Sequence, residues 1–203
     1  CNTNKDMALS EKERSLLFAS KRAQAQRNAA DHVASILWKT AENIVKAARK
    51  YRPYYRSKTM SDVARYEKEA RRIAADAEKA IEKYVEAYSQ AGGRVLRIDT
   101  KELVNNYLKQ EVFGKTYMQR NSEYLSDFAE DIVKLVKAGV SLRYDERKII
   151  NAVRSSYKDP YNRSLMTKAA KANNKAMEVP HRGKGVYTAS YENVMRNVRN
   201  TIG

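Results

Sequence analysis

Residues 10–51, SEKERSLLFASKRAQAQRNAADHVASILWKTAENIVKAARKY, decide the fold of this 203-residue chain. They contain no Pro and no Gly, and Ser10 and Glu13 have the spacing of a capping box at a helix N-terminus. Two adjacent seams of apolar or small residues follow at helical intervals: Leu16, Ala23, Ala30, Leu37 and Ile44, and beside them Ala19, Val33, Thr40 and Ala47. The stretch therefore predicts one helix of ~40 residues, ~60 Å long.

A second long helix is predicted after Pro53. Residues 59–62 repeat the capping signal, and apolar positions then recur every three or four residues until Gly92 and Gly93: Val63, Tyr66, Ala70, Ile73, Ala77, Ala80 and Tyr84. Because both helices carry small residues on their seams, their backbones can approach closely. Residues 10–92 therefore predict a long antiparallel αα-hairpin that turns at residues 52–59, preceded by a flexible tail at residues 1–9.

Shorter apolar patterns follow the two glycines. Val95, Leu96 and Ile98 favour at most one short strand or hairpin. Five helices are then predicted from caps, periodicity and breakers: from Asp99 through Leu103, Val104, Tyr107 and Leu108; from Asn121 or Ser122 to Gly139; from Leu142 to Tyr157; from Tyr161 to Met177; and from Ser190 to Val198. The predicted fold is thus mainly α, a long hairpin followed by a smaller helical domain over residues 99–203.

Composition restricts the classes of function. The chain holds 40 Lys and Arg against 24 Asp and Glu, a net charge of +16, so we expect a polyanionic partner such as nucleic acid, an acidic protein face or an anionic membrane. The single Cys allows no internal disulfide, and the two His residues, His32 and His181, allow no metal-ligand spacing. We therefore predict no metal and no cofactor.

No motif for catalysis is present in the sequence. Neither His lies in a motif for a general base, and the carboxylates alternate with lysines as on solvated helix surfaces. Residues 183–185, Gly-Lys-Gly, lack the spacer and the ending of a phosphate-binding loop. The sequence predicts a binding protein with no catalytic residues.

The densest basic segment lies at the predicted hairpin tip. Its cations are interleaved with Tyr51, Tyr54 and Tyr55, and no acid occurs between Glu42 and Asp62. The cations are Lys46, Arg49, Lys50, Arg52, Arg56 and Lys58. Cations beside aromatic rings suit a nucleic-acid contact. Two other interpretations of this segment remain: a solvated turn, and a segment that docks into an acidic pocket of another protein.

A second basic group follows Pro160. Lys168, Lys171 and Lys175 recur at three and four residues, so a helix would place them in one stripe. The two interpretations are a solvated helix face and a surface that follows phosphates.

Residues 183–199, GKGVYTASYENVMRNVR, carry a recognisable pattern. They resemble the Gly-x-Gly-x-Tyr, Tyr-x-Asn and Arg-x-x-Arg pattern of tailed-phage minor head proteins, the Mu F-like head-morphogenesis family. Residues 139–141, Gly-Val-Ser, are similar to the glycine-serine turn that precedes this pattern. The resemblance covers about half of the chain, from Leu103 onward. Many members have Thr-Glu and an aliphatic residue after the second Arg, where this chain has Asn200-Thr201-Ile202.

The resemblance implies a non-enzymatic structural protein of the virion, made in the host cytoplasm and located in the head interior or at the portal vertex. Portal or capsid protein and double-stranded DNA would be its partners, without a membrane, and several copies would join a larger assembly. Members commonly continue past the motif. Arg196 and Arg199 are spaced to share one helix face, so both are candidates for contact with one acidic or phosphate partner. The alternative interpretation is that Tyr187 and Tyr191 only anchor this helix on the domain while the two arginines are solvated.

Two other classes of function remain open at this stage. One is a basic helical nucleic-acid-binding protein without a role in a capsid. The other is a membrane-tethered lipoprotein, because Cys1 and the polar residues 2–5 resemble the start of a mature bacterial lipoprotein. An N-terminal extension before Cys1 is the preferred interpretation of the missing Met.

Overall fold

The computed structural model describes residues 9–51, 60–90, 93–94, 99–158, 164–173 and 190–202. Within these ranges the chain forms seven helices: α1 (Glu11–Tyr51), α2 (Met60–Ser89), α3 (Lys101–Lys109), α4 (Tyr117–Ser141), α5 (Glu146–Lys158), α6 (Ser164–Asn173) and α7 (Ser190–Ile202). The described residues hold no strand, only an isolated β-bridge between Val112 and Lys115. The mainly α prediction is confirmed. The predicted tip turn (52–59), the extended segment (95–98) and residues 1–8 of the predicted tail (1–9) lie outside the described residues.

The two long helices pair as the predicted antiparallel hairpin. At the start of α1, the Ser10 amide donates to a Glu13 carboxylate oxygen at 2.8 Å, and the Glu13 amide donates to the Ser10 hydroxyl at 3.3 Å. Near the other end of α1, the buried Tyr66 hydroxyl of α2 donates to the carbonyl oxygen of Ile44 at 3.0 Å. Both capping and pairing therefore follow from local sequence signals.

The predicted seam of α1 is correct only in its second half. Leu37 and Ile44 are buried, but Leu16 is 62% exposed and Ala23 is exposed. The buried residues of the first half are instead Ala25 and Ala29, whereas Val33 and Thr40 of the second predicted seam are buried as expected. A seven-residue count drifts by about 20° per heptad on a straight helix, so the seam leaves the contact line. Moreover, α1 has 41 residues and α2 has 30, so α1 has additional turns that α2 cannot cover.

The helices after residue 99 extend the core of the hairpin. One apolar cluster joins α1, α2, α4, α5 and α7 and includes Leu37, Ile81, Phe128, Val153 and Val198. Leu165 and Ala169 of α6 pack separately on Ala138 of α4. The described helices of residues 10–92 and 99–203 therefore share one hydrophobic core.

Both predicted ends of α4 were wrong. The helix begins at Tyr117, because Thr116 and Gln119 form a capping box: the Gln119 amide donates to the Thr116 hydroxyl at 3.3 Å, and the Thr116 amide donates to the Gln119 side chain at 2.8 Å. Asn121, one of the two predicted N-caps, is fully buried inside the helix. The helix also continues through Gly139 to Ser141, so this glycine is not a C-terminal stop.

The following helices also differ from their predicted bounds. α5 begins at Glu146 rather than at Leu142, after a turn in which Arg143 has a positive φ of 59°. α7 continues past Val198 to Ile202. The predicted helix from Tyr161 to Met177 is described only as α6, Ser164–Asn173.

Only part of the predicted apolar face of α3 meets the core. Val104 is buried and Leu108 is half-buried, whereas Leu103 is 67% exposed and Tyr107 is 51% exposed. The helix is nine residues long and contacts α2 and α4. Two of its four large apolar side chains therefore face away from the protein.

The β-bridge belongs to a two-residue hairpin that the sequence analysis did not predict. Phe113 and Gly114 have φ values of 56° and 75°, and the Val112 amide donates to the Lys115 carbonyl oxygen at 2.9 Å. Two central residues with positive φ define a type I′ turn, which favours Asn-Gly. Phe113 thus holds an unfavourable backbone conformation with its ring fully exposed.

Replacing this phenylalanine by the preferred turn residue should stabilise the protein. Phe113→Asn is expected to raise the free energy of unfolding by about 0.5–1 kcal/mol, because Asn tolerates positive φ and no buried contact is lost. Urea denaturation measures the effect. Phe113→Val is the control, since a β-branched residue at positive φ should lower stability. A loss of stability in Phe113→Asn would contradict the assigned turn.

Candidate nucleic-acid or partner interface

Each described cation of the hairpin tip has a partner, either a carboxylate in an ion pair or an aromatic ring. Lys46 pairs with Glu42, with 3.9 Å between Nζ and a carboxylate oxygen. Arg49 Nε lies 2.7 Å from a carboxylate oxygen of Glu146, at the start of α5. Lys50 Nζ lies 5.5 Å from the centroid of the Tyr51 ring, within the range of a cation–π contact. Arg52, Arg56 and Lys58 lie outside the described residues.

A neighbouring cation of α5 also belongs to this region, and the sequence analysis missed it. Arg154 donates to Glu42 at 3.2 Å and lies over the Trp38 ring, 4.4 Å from the centroid. Glu42 therefore meets two cations, one from each of two helices. Since Glu42 and Arg154 are 112 residues apart, no local pattern could have indicated the pair.

The described part of the second basic group is open to solvent. Lys168 and Lys171 are exposed on α6, and neither forms an ion pair with a described residue. Leu165 and Ala169 of the same helix are buried against α4. The helix thus buries its apolar side and leaves two of the three predicted lysines free for a partner. Lys175 lies outside the described residues.

The two arginines of the C-terminal motif lie on the outer side of α7. Val194, Val198 and Ile202 are buried on its inner side, whereas Arg196 and Arg199 are exposed. Arg199 is engaged locally, because its Nη2 lies 3.3 Å from Glu192 and its Nε donates to the Met195 carbonyl at 3.3 Å. Arg196 forms no ion pair within the described ranges.

Two contacts fix the start of α7 on the protein. The Tyr191 ring stacks on the Tyr157 ring, with centroids 4.5 Å apart and planes inclined by 11°. The Ser190 hydroxyl donates to an Asp131 carboxylate oxygen at 2.7 Å. Burial raises the pKa of Asp131 even though this hydrogen bond opposes the shift, and burial also raises the pKa of both tyrosines. Tyr191 therefore anchors α7 on α5, and Tyr187 lies outside the described residues.

Buried polar groups collect where α2, α4 and α7 meet. The Tyr117 hydroxyl has no hydrogen-bond partner among the described residues, and the Asn121 amide lies beside the Glu82 carboxylate. Arg120 Nε donates to the Asn197 side-chain oxygen at 3.3 Å. Burial raises the pKa of Tyr117, and the negative charge of Glu82 raises it further. Burial also raises the pKa of Glu82. Among the described residues the cluster holds the Glu82 carboxylate with Glu78 nearby, and the buried polar groups pack between the helices.

The described ranges contain no group of three or more His, Cys, Asp or Glu placed to hold a metal ion. None of the helices in these ranges combines the length and the apolarity needed to cross a membrane.

Comparison with known proteins adds no family: no protein-family model, curated protein or solved structure matches this chain.

Proposed function

We propose that this chain is a non-catalytic structural protein of a tailed-phage head, located in the head interior or at the portal vertex. It binds portal or inner-capsid protein and contacts packaged double-stranded DNA. The proposal rests on the resemblance of residues 183–199 and on one structural observation. In α7 the motif tyrosine, Tyr191, packs inward on Tyr157, while Arg196 and Arg199 face outward.

This division of roles suits a binding helix. Its inner side is fixed by apolar contacts and by Ser190 on Asp131, so the arginines are presented on a rigid element. Arginine side chains recognise phosphate and carboxylate groups through several donors in one plane. The net charge of +16 and the exposed Lys168 and Lys171 support a phosphate partner.

The first test measures binding of the full chain to a 30-base-pair duplex of mixed sequence. In the double variant Arg196→Ala and Arg199→Ala, binding should weaken, and the slope of log K against log salt should fall by about 2, one unit per lost phosphate contact. The melting temperature should change little, since substitution of an exposed side chain usually changes the free energy of unfolding by less than about 0.5 kcal/mol.

The matched control is the double variant Lys79→Ala and Lys83→Ala. Both lysines are exposed on α2, so the control removes the same charge from another surface. It should leave the salt slope near that of the original chain. Equal losses in the two double variants would mean that only net charge matters, and would contradict a role for α7.

The second test separates a head protein from a nucleic-acid-binding protein without a role in a capsid. The genome that encodes the chain should carry portal and terminase genes beside it, and purified portal protein should retain the chain in a pull-down at moderate salt. The Arg196 and Arg199 double variant should be retained less and incorporated less into assembled heads. Duplex binding without portal binding, with normal incorporation of the variant, would favour the alternative.

A further inference from the structure

Three aromatic rings form a cluster on the outer side of the hairpin. The His32 ring of α1 stacks on the Tyr84 ring of α2, with centroids 4.9 Å apart and planes inclined by 10°. The Tyr88 ring lies 5.8 Å from His32 and 6.3 Å from Tyr84, also nearly parallel to both. The Tyr88 hydroxyl and His32 Nδ1 are 2.7 Å apart, so a hydrogen bond fixes the imidazole. We call these three residues the aromatic platform.

Two rings of the aromatic platform, His32 and Tyr84, lie outside the hairpin core, whereas Tyr88 is half-buried and packs against it. Leu37, Ile81 and Val85 are buried between the helices, whereas His32 is exposed and Tyr84 is 37% exposed. Aromatic rings that only join two helices would be expected between them, where burial contributes most to stability. The stacked faces of His32 and Tyr84 cover each other, and the exposed remainder of these two rings is open to a ligand.

An open cleft adjoins the aromatic platform and shares Tyr88 with it. The cleft is lined by two cations, Lys21 and Arg94, and by two amides, Gln24 and Asn28. No ion pair is formed by either cation within the described ranges. The surface therefore combines accessible aromatic rings, uncompensated positive charge and amide groups that donate and accept hydrogen bonds.

We propose that the aromatic platform and the adjoining cleft bind single-stranded nucleic acid. One base extends the stack of Tyr84 and His32 on its exposed side, and the neighbouring phosphates lie against Lys21 and Arg94. Stacking on aromatic side chains together with a cationic path for the backbone is the general solution for binding single strands without sequence preference. A base in a duplex has both faces covered by its neighbours, so this site prefers unpaired nucleotides.

This site is independent of the proposed function, which concerns a duplex at α7. It is formed by residues 21–32 of α1, residues 84–88 of α2 and Arg94, whereas the proposed duplex contacts are Arg196 and Arg199 of α7. About 21 Å of helix also separates His32 from Lys46, the nearest described cation of the tip. The two proposals can therefore fail separately.

The test uses the full chain and a fluorescein-labelled 12-nucleotide oligothymidine, followed by fluorescence anisotropy. Tyr84→Leu keeps apolar packing but removes the π face, and should weaken binding about tenfold, the size expected for one lost base stack. His32→Gln should weaken it by a similar factor, and Tyr84→Phe should bind as the original chain does. Tyr107→Leu is the matched control, because this tyrosine is 51% exposed on α3, outside the aromatic platform, and its loss should change nothing.

The salt dependence distinguishes stacking from charge. Tyr84→Leu should lower affinity without changing the slope of log K against log salt, whereas Lys21→Ala should reduce the slope by about 0.7, the value for one phosphate of a single strand. Binding to the 30-base-pair duplex should be unaffected by Tyr84→Leu. Equal losses for single strand and duplex, or equal losses in Tyr84→Leu and Tyr107→Leu, would overturn the proposal.

Nuclear magnetic resonance gives a direct readout at the aromatic platform. The chain has two His residues, so the imidazole carbon-bound protons of His32 can be followed with those of His181 as internal reference. Oligothymidine should shift the His32 signals through the ring current of the stacked base, and Tyr84→Phe should preserve the shift. Unchanged His32 signals at saturating oligothymidine would overturn the proposal even if the variants fail to fold.

Discussion

Tyr157→Ala is expected to lower the free energy of unfolding by about 3–5 kcal/mol, the cost of deleting a large aromatic ring from a packed site. The Tyr157 ring contacts three others, from three different helices. The centroids of Trp38 in α1, Phe128 in α4 and Tyr191 in α7 lie 5.3, 5.6 and 4.5 Å away. Its removal leaves α5 without the ring that joins the hairpin to the C-terminal helix.

The same ring provides its own control, because its hydroxyl is buried without a hydrogen-bond partner among the described residues. Tyr157→Phe removes only that group and should leave stability unchanged or raise it by up to about 1 kcal/mol. Tyr66→Phe should instead cost about 1 kcal/mol, since the Tyr66 hydroxyl donates to the Ile44 carbonyl at 3.0 Å. Urea denaturation measures all three, and equal effects of the two Phe variants would contradict this assignment.

The pH dependence of stability above pH 10 gives a second test of Tyr157. Burial raises the pKa of Tyr157 above its value in the unfolded chain, so the folded state retains the phenolic proton at higher pH. The contribution of Tyr157 to the free energy of unfolding is therefore complete below the ordinary tyrosine pKa of about 10. This contribution is lost progressively as pH rises above that value. The decline in stability above pH 10 should therefore be smaller in Tyr157→Phe.

The hairpin could be predicted from the sequence because its signals are local and repeated. The Ser10 and Glu13 capping box is present as predicted, and more than forty residues follow without Pro or Gly. A long helix that packs on one side is recognised by apolar residues at intervals of three and four with polar residues between them, and the sequence shows this spacing. The antiparallel pairing follows, since two long apolar faces joined by a short turn have few other ways to become buried.

The burial of individual residues was less predictable, because it depends on what else packs against each helix. Leu16 continues the predicted seam yet is 62% exposed, and Leu103 on α3 is 67% exposed. Thr116 and Gln119 do form a visible capping box, but the periodicity of the following residues favoured a later start. Local pattern therefore identifies the element, and tertiary contacts decide its bounds and its buried side.

The candidate interface shows the same limit. Exposure of Lys168, Lys171 and Arg196 agrees with their positions on predicted helix surfaces. The tip differs, because a segment without a nearby acid in the sequence receives Glu146 from a helix about 100 residues later. The aromatic platform could not be predicted either, since His32 and Tyr88 are 56 residues apart and each is unremarkable alone.

Close packing of two helices explains why Gly139 lies inside the 25-residue helix α4. A Cβ atom added there would lie 2.6 Å from Cγ1 of Ile149, because α4 and α5 cross closely at this point. Gly139→Ala is therefore expected to lower the free energy of unfolding. Overpacking costs about 1–3 kcal/mol and outweighs the gain in helix propensity of about 1 kcal/mol.

In an Ile149→Ala background the same substitution should have the opposite sign. Ile149→Ala alone should cost about 2–5 kcal/mol, since the side chain is buried. It also removes Cγ1, so Gly139→Ala then adds helix propensity without a clash and should raise stability by about 1 kcal/mol. The two changes should thus couple by about 1–3 kcal/mol, the overpacking cost that Ile149→Ala removes, in a double-mutant cycle measured by urea denaturation. Additive effects would mean that the helices move apart to admit the methyl group, and that close approach is not what requires glycine at this position.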